Sequence, residues 1–299
     1  YVYEYTNKED WKKAAIKWTE SLEPLKKMTN HHDIGFLMYC SFGNAYRLTG
    51  NEAYKDVLVE SARSLCTRFN EKTGCIKSWN YRKSWNGKDE WFYPVIIDNM
   101  MNLELLYFAT KVTGDSVYAK VANRHAETTA KNQFREDYRA RGQAWAIYGY
   151  TMAYRETHRQ DFLDMAVHTA DFWLNHPNLP EDGIPYWDFN AGQEDYVPDW
   201  NYDPEIFKVV PRDASAAAIV ASAFLELSGY VTDGKKYSAA AAHILKSLSS
   251  PAYLAEPGTN CNFILMHSVG SIPHGEEIDV PLIYADYYYL EALMRYKNM

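Results

Sequence analysis

Long apolar runs are missing from this chain of 299 residues, and none approaches the roughly 18 to 20 residues that span a membrane. Positive charge is in deficit. Lys and Arg number 31 against 39 Asp and Glu, a formal net charge of −8. That balance argues against nucleic acid or an extended polyanion as partner, since both need a basic surface. A small anionic ligand stays open where a few arginines reverse the field locally. Cysteine is scarce: Cys40, Cys66, Cys75 and Cys261 form no C-x-x-C pair, which weakens zinc and thioredoxin-like readings and leaves four free thiols as the plain expectation. There is no G-x-S-x-G elbow, no phosphate-binding loop and no dinucleotide fingerprint, so nothing calls for a cofactor and Ser/His/Asp catalysis lacks local support. No signal peptide is visible. The chain opens on Tyr1 rather than Met, and Tyr1–Tyr5 reads as the end of a helix already under way, so the native N-terminus is expected to be missing. Low-complexity stretches are absent and 47% of residues are apolar, the composition of a folded globular protein large enough for one big domain or two ordinary ones.

Strand signals are thin, and helical spacing dominates. A threonine followed five residues later by an aromatic recurs as Thr6/Trp11, Thr49/Tyr54, Thr113/Tyr118, Thr157/Phe162 and Thr232/Tyr237. Apolar residues then follow at helical intervals, as in Tyr54-Val57-Leu58-Ala62 and Tyr118-Val121-Ala122-Ala126. Gly50, Gly114 and Gly234 sit in three of these turns, where glycine is a normal helix stop. Each unit reads as helix, short turn, helix, and Leu282 to Tyr296 reads as a closing helix. Hairpins of this kind stack to bury their faces. The count predicts an all-α, six-hairpin (α/α)6 barrel, a toroid of inner and outer helices, with an open superhelical array as the alternative.

The long connections are rich in aromatics: Trp79, Tyr81, Trp85, Trp91, Phe92 and Tyr93 in one, Tyr186, Trp187, Phe189, Tyr196, Trp200, Tyr202 and Phe207 in another. Flat rings stack on the apolar faces of sugars, and they also serve as packing wedges in large helical folds.

Asp98 is the most informative residue. It follows Val95-Ile96-Ile97 and precedes Asn99-Met100-Met101-Asn102. An unpaired carboxylate there costs several kcal/mol, and a raised pKa relieves the cost by retaining the proton. A carboxyl that stays neutral suits a general acid. The competing reading is a helix N-cap just after Pro94, with Asn99 and Asn102 sharing its hydrogen bonds, and the two are compatible. Asp33, in Asn30-His31-His32-Asp33-Ile34-Gly35-Phe36, stands likewise before an apolar helix. Two such acids at one mouth push their pKa values apart. A metal site from His31, His32 and Asp33 competes, but adjacent residues on a helix point in different directions. Arg141, in Arg141-Gly142-Gln143-Ala144-Trp145, carries the planar fork that grips a carboxylate, or else makes a surface ion pair. Asp213-Ala214-Ser215 looks like a capped inner helix. His267-Ser268-Val269-Gly270-Ser271 precedes the last helix and is placed to line the far side of a cleft.

Taken together, His32-Asp33-Ile34-Gly35-Phe36, Ile97-Asp98-Asn99-Met100-Met101-Asn102-Leu103, Arg141-Gly142-Gln143-Ala144-Trp145-Ala146-Ile147-Tyr148-Gly149 and Ala285-Asp286-Tyr287-Tyr288-Tyr289-Leu290-Glu291-Ala292-Leu293 resemble the unsaturated glucuronyl hydrolases, glycoside hydrolase family 88. The resemblance covers nearly the whole chain and implies a single (α/α)6 catalytic domain over 1–299. It implies an enzyme that removes 4,5-unsaturated uronic acid from lyase-generated glycosaminoglycan oligosaccharides by hydrating the double bond, without a cofactor or a metal. By resemblance Asp98 is the proton donor and Asp33 the second acid. His32, Arg141 and Trp145 line the substrate, and Trp79 or Trp85 stacks on it. The family is bacterial, of periplasm or cytoplasm. A sister family acting on unsaturated rhamnogalacturonan, or a carbohydrate-binding scaffold without turnover, are the rivals. The chain departs from the pattern at Glu136–Arg141, where family members carry a loop with a further histidine and glutamine. It also lacks a tryptophan-bearing segment before Tyr1. Ser268 and Ser271 fit the start of a Ser-x-x-Ser-x-Lys sulfate motif, but Pro273 stands in place of the lysine, so no strong sulfate clamp is expected.

Overall fold

Threonine ends four of the described helices. A computed structural model describes residues 1–84, 87–138, 142–198 and 209–299. Trp85, Arg141, Trp200, Tyr202 and Phe207 lie outside the described residues. In chain order the helices are α1 (Val2–Thr6), α2 (Glu9–Ser21), α3 (Ile34–Met38), α4 (Asn44–Thr49), α5 (Glu52–Cys66), α6 (Leu103–Thr113), α7 (Val117–Asn132), α8 (Gln143–Thr157), α9 (Gln160–Asn175), α10 (Ala214–Leu227), α11 (Lys235–Leu248) and α12 (Ile283–Lys297). A π turn, Tyr39–Gly43, joins α3 to α4, and a 3-10 helix, Ile97–Asn102, leads into α6.

Four of the five predicted turns share one device. The hydroxyls of Thr6, Thr49, Thr113 and Thr157 donate to the carbonyls of Val2, Ala45, Ala109 and Ala153, at 2.6 to 2.7 Å. Each threonine oxygen also accepts the N–H two residues on, from Lys8, Asn51, Asp115 and Arg159, at 3.1 to 3.3 Å. The intervening residue is left-handed: Asn7, Gly50, Gly114 and His158 have φ between 54 and 75°. One hydroxyl thus satisfies a terminal carbonyl and steers the chain into the next helix. The fifth turn differs. Helix α10 stops at Leu227, and Thr232 lies within the connection to α11 rather than at a helix end.

The aromatic five residues on is the first wedge of the following helix. Tyr54, Tyr118, Phe162 and Tyr237 are buried, whereas Trp11 is 51% exposed. Helix α5 buries Tyr54, Val57, Leu58, Ala62 and Leu65, and α7 buries Tyr118, Val121, Ala122 and Ala126, the faces that the spacing predicts. Each fully buried leucine on such a face contributes about 1.5 to 3 kcal/mol.

The described residues gather into two compact units. The first comprises Tyr1–Arg82, Glu90–Gly142 and Met152–Met165, the second Lys83–Asp89, Gln143–Thr151 and Ala166–Met299. In the first, α5, α6 and α7 pack together around Leu58, Leu65, Leu105 and Leu106. In the second, α10 lies against both α11 and α12. Its alanines at 214, 217, 218, 221 and 223 are all buried, as expected of a helix enclosed on every side. Strands are short. Phe69–Asn70 pairs with Cys75–Ile76, and Ser268–Ser271 with Glu276–Val280, both antiparallel, the second with an irregularity at Ser268/Val269. The four cysteines are free thiols. Among the described residues no helix is long and apolar enough to cross a membrane.

Candidate active site

Asp98 and Asp33 both belong to the first unit, and buried amides hold their segments together. Ser78 is the hub. Its N–H donates to the Pro94 carbonyl at 2.8 Å, and its hydroxyl oxygen accepts from the Ile96 N–H at 3.1 Å and from Asn99 Nδ2 at 3.0 Å. Asn99 also donates to the Ile76 carbonyl at 2.8 Å. Asn102 Oδ1 accepts the Phe36 N–H at 2.8 Å, tying the Asp98 helix to the start of α3. Gly35 makes this approach possible. A Cβ there would lie 2.7 Å from the Cα, Cβ and Oδ1 of Asn102.

The cap expected at Asp98 does not form. The cap position falls on Ile96, whose backbone is extended (φ −118°, ψ 159°), and no side-chain cap bond is made there. Asp98 is the second residue of the 3-10 helix, and the two asparagines bond Ile76, Ser78 and Phe36, not its carboxyl. Asp98 keeps some surface open to solvent. Burial first, and then the charge of Asp33, push its carboxyl up to about 7. It is thus poised to hold a proton at neutral pH.

Asp33 occupies the cap position of α3 without making a cap bond. Its carboxylate faces two histidines: Oδ1 lies 3.1 Å from His32 Nε2, and Oδ2 lies 3.4 Å from His31 Nδ1. These residues converge because His31 and His32 precede α3 in a turn rather than riding on a helix, which corrects the expectation that they diverge. His32 is fully buried. Its Nδ1 lies 3.1 Å from the Ser78 carbonyl, which can only accept, so Nδ1 carries the hydrogen. Burial drives this imidazole down to about 4, against the opposing pull of Asp33, with His31 and Arg68 adding to the drop.

Arg68 is buried too. Its guanidinium donates to the carbonyls of Lys77 (2.8 Å), Ser78 (3.0 Å) and Thr29 and, at 3.4 Å, to Asn80 Oδ1. Behind the Ile76 strand stands His125, wholly buried, accepting the Ile76 N–H on Nδ1 at 3.0 Å. Burial, then His32, push it down to about 3.

Trp79 closes this side. Its indole N–H donates to His31 Nε2 at 3.0 Å, and the Arg82 guanidinium lies 5.1 Å from the ring centroid. His31, His32 and Asp33 present possible cation ligands within 4.8 Å of one another. Yet both His31 nitrogens already have hydrogen-bond partners, as does His32 Nδ1, so the trio reads as a hydrogen-bond network rather than a metal centre.

The remaining candidates belong to the second unit or lie outside the described residues. Trp145 packs against Tyr284 and Tyr288 of α12, at 5.5 and 5.8 Å between centroids. Gln143, the unexpected amide beside it, donates to the Thr169 carbonyl at 3.0 Å. Asp213 is a true cap, accepting from the N–H groups of Ser215 and Ala216. Ser268 is fully buried with its hydroxyl unpartnered, and the Ser271 hydroxyl is held by His274 Nδ1 at 2.5 Å. The first hydroxyl is sealed from solvent and the second is engaged, so neither is open to a sulfate. His267 is engaged by Asp279 at 2.6 Å. Arg141 and Trp85 cannot be placed, lying outside the described residues. Sequence reasoning missed Ser78, Arg68 and His125 altogether and weighed His31 only as a ligand. No motif marks them, because their partners lie 9 to 49 residues away, beyond any local pattern.

No family model matches the chain. An unsaturated glucuronyl hydrolase of Formosa agariphila is 45% identical over 328 residues, spanning 100% of this chain and 77% of that protein. An unsaturated chondroitin disaccharide hydrolase of Streptococcus pneumoniae is 30% identical over 333 residues, spanning 99% of this chain and 78% of that protein. Both aligned lengths exceed 299 residues, so these relatives carry residues without a counterpart here. Among solved structures, an unsaturated glucuronyl hydrolase specific for heparin superposes with a TM-score of 0.89 at 43% identity, covering 99% of this chain and 82% of that one.

Proposed function

The chain belongs to the unsaturated glucuronyl hydrolases, and from that premise we propose that Asp98 and Asp33 hydrate the double bond of a 4,5-unsaturated uronic acid. The fold class is the family's (α/α)6 barrel. The protein is a glycoside hydrolase acting on unsaturated glycosaminoglycan fragments.

In such a sugar the ring oxygen is conjugated with the double bond, so electron density gathers at C4. Asp98 gives its proton to C4, and positive charge develops at C5, where the ring oxygen shares it. Water adds at C5 and returns a proton to Asp98. The resulting hemiketal opens, and the hemiacetal left at C1 expels the remaining sugar. One carboxyl serves both steps, unlike the paired acids of displacement glycosidases. The Asp33 charge helps Asp98 keep its proton until substrate arrives. By its resemblance to the family Arg141 is the expected partner of the uronate carboxylate, and Trp79, in the same unit as Asp98, is the expected contact of the sugar.

The observation that carries this reading is a largely desolvated Asp98 beside a second acid, Asp33, a setting that raises its carboxyl and favours the protonated form. The net charge of −8 suits short fragments over long polyanions. The test is the ultraviolet absorbance of the uronate double bond, followed with unsaturated heparin and chondroitin disaccharides side by side. The absorbance should fall with at least one of them, and Asp98→Asn should abolish the fall. Stable absorbance with both would sink the proposal.

A further inference from the structure

Arg68 is a buried cation that meets no carboxylate among the described residues. Burial works against its charge and pulls its pKa below the ordinary guanidinium value. A charge placed this way is costly unless its donors are engaged. They are engaged by four oxygens. The side edge of the fork, Nε and Nη2, takes the successive carbonyls of Lys77 and Ser78, at 2.8 and 3.0 Å. Nη1 takes the Thr29 carbonyl and reaches Asn80 Oδ1 at 3.4 Å. The base of the fork is fixed as well. The Arg68 N–H donates to the Leu65 carbonyl in the last turn of α5 at 3.0 Å, and the Arg68 carbonyl accepts from the Tyr93 hydroxyl and the Lys77 N–H, both at 2.9 Å.

The four acceptors surround one residue. Lys77 and Ser78 precede Trp79, Asn80 follows it, and Thr29 lies shortly before His31, the acceptor of the Trp79 indole N–H. Trp79 itself makes no main-chain hydrogen bond among the described residues. One side-chain bond to His31 cannot fix a residue whose own main chain is unbonded. The guanidinium does so, because it holds the residues on both sides of Trp79 and the turn that carries its partner. Lysine could not replace it. An ammonium is a compact point charge, whereas these oxygens lie along two edges of a plane. The Asp98 segment is held by other bonds, those of the Ser78 hydroxyl and Asn99.

We propose that Arg68 is a positioning residue for substrate binding: by pinning the chain on both sides of Trp79 to the turn before His31, it fixes the sugar-facing indole against Asp33. The proposal rests on the reading of Trp79 as a contact of the sugar. It separates two tasks within one site. Arg68 sets where the sugar lies, and the Ser78 hydroxyl with Asn99 sets where the acid lies.

Nitrogen-15 NMR of the tryptophan-labelled full chain reads the Trp79 indole directly, its signal being the one lost in Trp79→Ala. In Arg68→Lys that signal should shift and broaden as the bond to His31 gives way. Asn80 is exposed, so Asn80→Ala spares the core while removing the contact beyond Trp79, and should move the same signal the same way by less. In turnover of an unsaturated disaccharide, Arg68→Lys should raise KM about tenfold, the loss of one charge-assisted bond, with kcat changed by less than about threefold. Added to Trp79→Ala it should raise KM no further, because Arg68 acts through that ring, whereas a merely structural role predicts effects that multiply. An indole signal unmoved by Arg68→Lys and Asn80→Ala, a fall in kcat without a rise in KM, or multiplied KM effects in the double variant would each overturn the proposal. Failure of the reaction reading shows separately, as turnover by Asp98→Asn, and leaves the indole measurement standing.

Discussion

Replacing Asp98 by asparagine keeps the shape of the side chain and removes its ability to ionise, so activity and stability should move in opposite directions. The wild-type carboxyl is raised from 3.8 to about 7. Between those values the native state holds a proton that the unfolded chain has released, and stability therefore falls as pH rises through that window. At 1.36 kcal/mol per pH unit, the loss reaches about 4 kcal/mol by pH 8, an upper bound because Asp98 keeps some contact with water. Asp98→Asn has no such loss. Thermal unfolding at pH 4 should find wild type and variant nearly equal. At pH 8 the variant should melt higher by roughly 3 to 6 °C, scaled for a chain of this size. Its turnover should be abolished at both. Functional sites often carry stability costs of this kind. A variant less stable than wild type at pH 8, or one whose Tm difference does not change with pH, would refute the claim that Asp98 sits in a proton-retaining environment.

Gly35→Ala forces a Cβ to within 2.7 Å of Asn102, and should cost about 1 to 3 kcal/mol in denaturant unfolding while lowering turnover, because the same contact spaces Asp33 from Asp98. An unchanged midpoint would show that the approach of α3 to the 3-10 helix is not tight. Thr113→Val removes a hydroxyl that serves both the Ala109 carbonyl and the Asp115 N–H, and should cost about 1 kcal/mol without affecting kcat. Acidification should destabilise the fold through its buried histidines. His32 and His125 are depressed to about 4 and about 3, so the native state binds fewer protons than the unfolded chain below about pH 6.5, and stability is lost as pH falls from there. Denaturant midpoints at pH 7 and 5 check this in the Asp98→Asn background, where the opposing effect of the Asp98 carboxyl is absent, and His125→Gln should flatten the dependence there.

Much of the fold is legible in the residues because its signals are local. The threonine-to-aromatic spacing marks each hairpin turn, and the structure supplies the reason: one hydroxyl bonds backward to a carbonyl and forward to an amide. The apolar intervals after Tyr54 and Tyr118 name the buried faces directly. Asp213-Ala214-Ser215 announces its cap, since a cap needs only the next two amides. Features that depend on distant partners are not legible. The asparagines after Asp98 look like its partners, yet they bond Ile76, Ser78 and Phe36 instead. The misjudged cap at Asp98 has the same origin. Pro94 suggested a helix start, but the Ser78 hydroxyl holds the Ile96 amide and keeps that residue extended. His31 meets Trp79 across 48 positions, a separation at which no local pattern exists. The sulfate motif shows the converse hazard, for Ser268 and Ser271 match in spacing while one is sealed in and the other is held by His274.

The reaction itself can be followed at the carbon that Asp98 is proposed to protonate. Turnover of an unsaturated disaccharide in heavy water, with early product read by NMR, reports how the new hydrogen arrives at C4. Delivery by one fixed carboxyl predicts a single deuterium in a single configuration, formed by the wild type and not by Asp98→Asn. Deuterium spread over both configurations at the earliest times, or formed equally by Asp98→Asn, would mean that solvent protonates a sugar already released by another route.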